Sequence, residues 1–210
     1  MSPISYFDSV WQRCEEIKVL HSFLQSNLTS ALSTDELLRS EWVARVSALD
    51  LYIHELIFQN MLLIFQGRKE KGTSFHKFEC SSEALLRIKN SEHRVEQDLA
   101  FDLEVRRKLS RVTYQFPEDI ADGVRLISKC ELWNSVAIKR GANEQNKISA
   151  GKQIRNTLSL IIQRRNKIVH EGDLQPEPPR TQWKIDRADV DEASSFIHDI
   201  VYSIDSILSS

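Results

Sequence analysis

Residues that interrupt helices are scarce in this chain and fall in a few places. Only six glycines and five prolines occur in 210 residues, and three of the prolines lie together at Pro176, Pro178 and Pro179. The long stretches between them are rich in Leu, Ile, Glu, Lys and Arg, which favour the α-helix. A chain of this length buries a full hydrophobic core. The composition therefore predicts an all-α fold without a significant sheet.

Helix boundaries are indicated by capping and breaking residues beside segments with helical periodicity. Ser33 and Glu36 have the spacing of a capping box, Pro117 suits the first turn of a helix, and Gly172 suits a helix end. We expect a bundle of about six helices: a domain over residues 41–210, with residues 1–40 forming an N-terminal helix packed on it. With the N-terminal helix included, seven helical segments are predicted, at about 6–26, 34–65, 81–90, 92–110, 117–130, 150–170 and 187–207.

Arg165 lies where the helical pattern requires an apolar residue. On an ideal helix, the apolar side chains of residues 158–170 form a stripe of roughly 120°, and Arg165 is near its centre. The members of this stripe are Leu158, Ile161, Ile162, Ile168 and Val169. A buried guanidinium without a partner costs several kcal/mol, because arginine does not lose its proton. Arg165 therefore needs an anionic partner, a second subunit or a wet cleft, unless it is an edge residue whose charged end reaches water.

Asn166 and His170 lie near Arg165 on the same predicted helix. They are four residues apart and share one flank, so that a guanidinium, an amide and an imidazole converge near one helix end. This set suits a phosphodiester, although a histidine in a last turn also stabilises a helix by itself. Arg165 and His170 are about 140° apart around an ideal helix. Three arrangements overcome this separation: a distorted helix end near Gly172, an arginine that wraps round the helix, or a cleft shared by two copies.

Charge is distributed unevenly, although the formal net charge of −2 gives no support for nucleic-acid binding. Residues 139–170 contain eight Lys or Arg and one Glu, whereas residues 171–210 contain nine acidic and three basic residues. These two segments either pair inside the molecule, or the basic one guides a phosphate backbone past His170. In the second case, Arg164 and Lys167 are expected to bind substrate.

Other candidate sites are few. Asp50 and His54, four apart on one helical face, either line the opposite wall of the cleft or make a local contact that fixes helix packing. The chain has no glycine-rich phosphate loop and no H-E-x-x-H or G-x-S-x-G motif. Cys14, Cys80 and Cys130 lack metal-binding spacing, so we expect no metal or cofactor and reduced, cytoplasmic thiols. Without a signal-peptide pattern or an apolar run of about 20 residues, we expect no membrane partner.

The segment 164–173, RRNKIVHEGD, resembles the motif of the HEPN superfamily, in which an arginine and a polar residue precede a histidine. Four further segments are similar to one branch, RiboL-PSP-HEPN, named for its association with the ribosomal L-PSP type of protein. These are VSALDLYIHELI (46–57), VTYQFPEDIADGVRLI (112–127), the pair Leu132 and Trp133, and residues 181–207. The resemblance begins near Ala44 and leaves out the first 40 residues and the loop 67–80.

This resemblance implies a HEPN-like homodimer whose motif helices meet at the interface and which cleaves RNA without a metal. It implies that Arg165, Asn166 and His170 are catalytic and that the 2′-hydroxyl of the substrate is the nucleophile. It also implies bacterial defence or stress as the setting, with an antitoxin or defence-system protein as a partner. The alternatives are a non-catalytic HEPN module, binding RNA or a partner protein as a dimeric scaffold, and a purely structural bundle.

Overall fold

The computed structural model describes residues 1–27 and 33–208, which form eight α-helices and one 3-10 helix. The 3-10 helix, Phe75–Lys77, lies between the second and third α-helices. The α-helices are α1 (Pro3–Asn27), α2 (Asp35–Phe65), α3 (Ser82–Asn90), α4 (Arg94–Leu109), α5 (Pro117–Ile127), α6 (Leu132–Lys139), α7 (Lys147–Glu171) and α8 (Arg187–Leu208). These ranges contain no strand, only an isolated antiparallel bridge between Leu174 and Gln182. The predicted all-α class is confirmed.

Helix α2 is the central element of the bundle. It packs against α1, α4, α5, α7 and α8, and Leu49, Ile53 and Ile57 on it are fully buried. By length and composition alone, α2 is also apolar enough to cross a membrane. More than half of its most apolar window is buried among the other helices, as the central helix of a bundle requires.

Two breaker residues act as predicted. Pro117 occupies the first turn of α5, and Gly172 ends α7 with a left-handed φ of 61°. Helix α5 ends at Ile127, earlier than the predicted end at Cys130. Helix α6 was not predicted, because an eight-residue helix contains too few turns for its periodicity to be distinct.

The predicted capping box at the start of α2 is wrong. The N-cap residue is Thr34, whose side chain makes no capping hydrogen bond and instead donates to Oε1 of Gln25 at 2.7 Å. Glu36 accepts a hydrogen bond from Arg39 at 3.1 Å. Glu36 also accepts a hydrogen bond from Nε2 of Gln182 at 3.2 Å, and Oγ of Ser33 accepts one at 3.3 Å from the N–H of Asp35 instead of that of Glu36.

Contacts along its length fix α7 in the bundle. Near its start, a Cβ on Gly151 would lie 3.0 Å from the carbonyl oxygen of Trp133, so α6 and α7 are in close contact. In its middle, Nε1 of Trp42 on α2 donates a hydrogen bond to the carbonyl of Ile161 at 3.1 Å. These contacts fix the position of the last turns of α7 beside the start of α2.

Candidate functional site

The apolar stripe of α7 is buried in its first part and leaves the core in the last two turns. Leu158, Ile161 and Ile162 belong to the main core cluster of the chain. Ile168 is half-buried and Val169 is exposed. The core of the same chain therefore covers the first part of the stripe, and only its last two turns, from Arg165 onward, are open to a second copy.

Arg165 is half-buried at the border between the core and the exposed face of α7. Its Nη1 donates a hydrogen bond to Oδ1 of Asn166 at 3.0 Å, and its Nε is buried without a partner in the described residues. Arg165 forms no ion pair with any residue in 1–27 or 33–208, so it is not half of an internal pair. The hydrogen bond joins the guanidinium to the amide of the next residue on α7.

His170 lies on the exposed face of the last turn of α7. Its imidazole makes no hydrogen bond to the part of the chain that the structure describes. Asn166 is one turn earlier and about 40° away around the helix. Helix α7 remains regular to Glu171, so its end is not distorted in a way that would bring Arg165 and His170 to one face. Asn166 therefore lies between Arg165 and His170 around the helix, and its amide is hydrogen-bonded to the guanidinium.

A buried carboxylate holds this helix end. Asp173 has no exposed surface, and its Oδ2 accepts hydrogen bonds from Nε of Arg39 at 3.0 Å and Nη2 of Arg164 at 2.7 Å. The backbone N–H of Asp173 donates to the carbonyl of Lys167 at 3.0 Å. The φ of Asp173 is 58°, a left-handed value that aspartate tolerates better than most residues. This Asp173 clamp (Asp173, Arg39 and Arg164) ties the end of α7 to the start of α2.

The loop 172–186 adds backbone contacts to the Asp173 clamp. Nη2 of Arg39 donates to the carbonyl of Trp183 at 2.8 Å, and the N–H of Trp183 donates to the carbonyl of Asp173 at 2.8 Å. Sequence reasoning missed the roles of Arg39 and Asp173. One signal was present, because Arg39 precedes Trp42 and Val46 at helical spacing and so lies on an apolar stripe, as Arg165 does.

Of the two cations predicted to bind substrate, only Lys167 has an exposed side chain. The guanidinium of Arg164 is occupied by Asp173 and by the carbonyl of Lys184 at 3.1 Å, so its contacts are structural. The ammonium of Lys167 lies 5.5 Å from the ring centroid of Trp183, over the face of a partly exposed indole. A cation and an aromatic ring thus lie one turn before His170.

Asp50 and His54 are not brought to α7. Asp50 accepts hydrogen bonds from the backbone N–H of Tyr114 at 2.6 Å and from Nε2 of Gln115 at 3.2 Å. The ring of His54 packs edge-on against Tyr114, with Nε2 3.8 Å from Oδ1 of Asp50. Asp50 is also eleven residues along α2 from Arg39, about 16 Å at the helical rise. Both residues join α2 to the segment before α5, which is the local packing role.

The basic segment 139–170 is only partly neutralised by the acidic segment that follows it. Two ion pairs join them, from Arg140 to Asp199 at 3.2 Å and from Arg164 to Asp173 at 2.7 Å. The cations of this segment without an ion-pair partner in residues 1–27 and 33–208 are Lys139, Lys152, Arg155, Arg165 and Lys167. Most of these cations lie on α7, so the helix that carries the site is itself positively charged.

Acidic and sulfur ligands are not gathered at this helix end. Across the described ranges, no group of three or more His, Cys, Asp or Glu side chains is arranged to hold a metal ion. The cysteines at 14, 80 and 130 are free thiols. The groups that the end of α7 presents are a guanidinium, an amide and an imidazole.

Comparison with known proteins identifies the family. A family model described as RiboL-PSP-HEPN matches residues 10–210, which include most of α1 and the loop 67–80 that the resemblance in the sequence leaves out. No curated protein and no solved structure matches the chain. HEPN domains are generally ribonucleases or RNA-binding modules. With a match over nearly its whole length and an all-α fold, the chain belongs to the RiboL-PSP-HEPN family.

Proposed function

We propose that this protein is a metal-independent endoribonuclease with Arg165, Asn166 and His170 as its catalytic residues. The observation that carries the proposal is the 3.0 Å hydrogen bond from Nη1 of Arg165 to Oδ1 of Asn166. It joins the guanidinium to an amide that lies about 40° from His170 around the helix, which supports a shared role for the three residues. Because arginine stays protonated at neutral pH, a permanent positive charge lies beside a group that can exchange protons.

In the proposed reaction, the nucleophile is part of the substrate. His170 accepts the proton of a ribose 2′-hydroxyl, the 2′-oxygen bonds to the adjacent phosphorus, and the bond from phosphorus to the 5′-oxygen breaks. The leaving 5′-oxygen takes up a proton from the imidazolium or from water, which leaves a 2′,3′-cyclic phosphate and a 5′-hydroxyl end. The guanidinium of Arg165 stabilises the charge on the non-bridging phosphate oxygens, and Asn166 orients it.

The surroundings of His170 support RNA as the substrate. Lys167 offers a cation for the phosphate backbone, and the indole of Trp183 beneath it offers a face on which an unpaired base can stack. The unpaired cations of α7 extend this positive surface away from the site, so binding should weaken as salt concentration rises. From the family, we further propose a cytoplasmic role in bacterial defence or stress, with an antitoxin or another defence-system protein as partner.

Cleavage of a single-stranded RNA by the purified protein in EDTA tests this proposal. We expect fragments that end in a 2′,3′-cyclic phosphate, and no cleavage of DNA or of RNA with 2′-deoxyribose at the scissile position. His170→Ala protein purified in the same way is the control for a contaminating nuclease. Strict dependence on magnesium would contradict the mechanism. RNA binding of equal affinity in both proteins, without cleavage by either, would instead establish a non-catalytic scaffold.

A further inference from the structure

Buried hydrogen-bond donors without a partner are concentrated between α1, α2 and α8. In the described residues, nine buried side-chain atoms have no hydrogen-bond partner, and four of them belong to Arg45, Arg187 and Ser194. The two guanidiniums share the carboxylate of Glu41, which accepts from Nη2 of Arg45 at 2.8 Å and from Nη2 of Arg187 at 2.7 Å. Because a buried donor without an acceptor is destabilising and rare in native proteins, this cluster indicates that another molecule supplies an acceptor here.

A small cleft adjoins these donors. Its volume is about 220 Å³, its walls are formed by α1 and α8, and Arg45 of α2 lies at its floor. Arg45 and Ser194 line the cleft and are only 2% and 8% exposed. The cleft is smaller than the pockets of about 300–1,000 Å³ that bind drug-sized molecules. It is therefore suited to a small polar ligand.

The charges around the cleft cancel. Nη2 of Arg45 donates to Oε1 of Glu15 at 2.7 Å, and Lys18 pairs with Asp191 at 2.8 Å between α1 and α8. With Glu41 and Arg187, the network contains three cations and three carboxylates. An ion added to a partly buried and balanced network would lack a counterion. The ligand that fits this cleft therefore carries no net charge.

The aromatic side chains of the cleft are already in contact with other groups. The guanidinium carbon of Arg45 lies 4.1 Å from the ring centroid of Trp11, and the ring of Phe7 stacks on Trp11 at 4.8 Å. The ring of His198 stacks on Tyr202 at 4.4 Å. A nucleobase binds proteins largely by stacking on open aromatic faces. The cleft therefore does not favour a base.

We propose that this cleft binds a small zwitterion of the amino-acid class. The carboxylate of the ligand accepts hydrogen bonds from Nη1 of Arg45 and Oγ of Ser194, which need an acceptor. Its ammonium group donates to Glu15 on the opposite wall, whose side chain is 43% exposed and whose Oε2 has no hydrogen-bond partner in the described chain. Both donors are covered by neighbouring side chains, so we expect the partly exposed Lys18 to change rotamer as the ligand enters.

Thermal unfolding of the full-length protein in the presence of single amino acids tests the site. Each of the standard L-amino acids is added at about 10 mM, and one that binds with a Kd of about 1 mM should raise the melting temperature by roughly 3–6 °C. Acetate and ethylammonium each carry one of the two charges, so each should change it by less than about 1 °C. No shift with any amino acid would overturn the proposal, as would an equal shift with acetate or phosphate.

Ser194→Ala and Ser203→Ala are a matched pair of variants on α8. Both serines are 8% exposed, but Oγ of Ser203 already donates to the carbonyl of Asp199 at 2.6 Å. Ser194→Ala should leave the melting temperature of the free protein unchanged, weaken binding about tenfold and reduce the ligand-induced shift to about 1–2 °C. Ser203→Ala should keep the full shift. Equal shifts in both variants would place the amino acid elsewhere and overturn the proposal.

Glu15→Gln tests the ammonium end of the ligand. Glutamine keeps an acceptor oxygen for Arg45 and removes the negative charge, so binding of the amino acid should weaken. Unchanged binding would overturn the assignment of a zwitterion.

This site is separate from the proposed ribonuclease site. Its side chains come from α1, α2 and α8, whereas Arg165, Asn166 and His170 are on α7. The experiments read melting temperatures and do not depend on RNA cleavage. Failure of amino-acid binding would therefore leave the ribonuclease proposal standing, and absence of RNA cleavage would leave this one standing.

Discussion

Replacement of Asp173 by asparagine tests how the end of α7 is held. Asparagine tolerates the left-handed φ of this position, so the change removes the charge and leaves the backbone unstrained. Asp173 is fully buried and Arg39 is 4% exposed, so a guanidinium would be left in the core without its buried anion. Loss of one partner of a buried pair costs about 3–5 kcal/mol. Because Arg164 is partly solvated and asparagine keeps one acceptor oxygen, we expect the lower end of this range, about 3 kcal/mol.

Thermal unfolding followed by circular dichroism measures this effect. For a chain of this length, about 3 kcal/mol lowers the melting temperature by roughly 6–12 °C. Asp122→Asn is the matched control, because it breaks an exposed ion pair with Arg125 that is worth less than about 1 kcal/mol. Equal melting temperatures for the two variants would refute the idea that Asp173 holds the fold together.

Hydrogen exchange distinguishes a local effect of Asp173→Asn from a general loss of stability. The amides of Gly172 and Asp173 both donate to the carbonyl of Lys167 and should exchange faster in the variant. Amides in the middle of α2 should be affected only through global unfolding. RNA cleavage should fall at temperatures at which the variant is still folded, because His170 then lies on a loosened helix end. Unchanged exchange at residues 172 and 173 would contradict this explanation.

Three further predictions concern α7 and one buried histidine. His170→Ala should lower RNA cleavage about 100-fold or more, with a change in unfolding free energy under about 1 kcal/mol, measured by cleavage rates and thermal melts. Arg165→Ala should abolish cleavage at a nearly unchanged melting temperature, whereas Arg164→Ala should lower the melting temperature because it removes part of the Asp173 clamp; equal melts would contradict this contrast. Burial lowers the pKa of His21 from 6.5, so the folded state disfavours its protonation. The free energy of unfolding is therefore undiminished above about pH 6.5, where His21 is neutral in both states, and it falls below that pH because the unfolded chain binds the proton more readily. Between about pH 7.5 and 5.5, the melting temperature of His21→Gln should fall less than that of the wild type.

Features that depend on neighbouring residues could be predicted from the chain alone. Pro117 and Gly172 mark helix ends because their backbone preferences act within one turn. Arg165 is unusual in the sequence because helical periodicity places it on an apolar stripe, and in the structure it is half-buried without an ion pair in the described residues. The capping box between Ser33 and Glu36 does not form, because Oγ of Ser33 accepts from the N–H of Asp35 and the carboxylate of Glu36 accepts from Arg39 and Gln182.

Contacts between side chains that are distant in the sequence depend on how the helices pack and could not be predicted from the sequence. Arg39 and Asp173 are 134 residues apart, and nothing near either residue indicates the other. Asp50 pairs with the segment before α5 instead of facing α7, because α5 packs on that side of α2. The grouping of an arginine, an asparagine and a histidine at the end of α7 could therefore be predicted from the sequence, because a helix sets the spacing of residues that are close in the chain. How the arginine turns, which face is buried and which carboxylate holds the helix depend on contacts between distant segments, and no local pattern encodes those contacts.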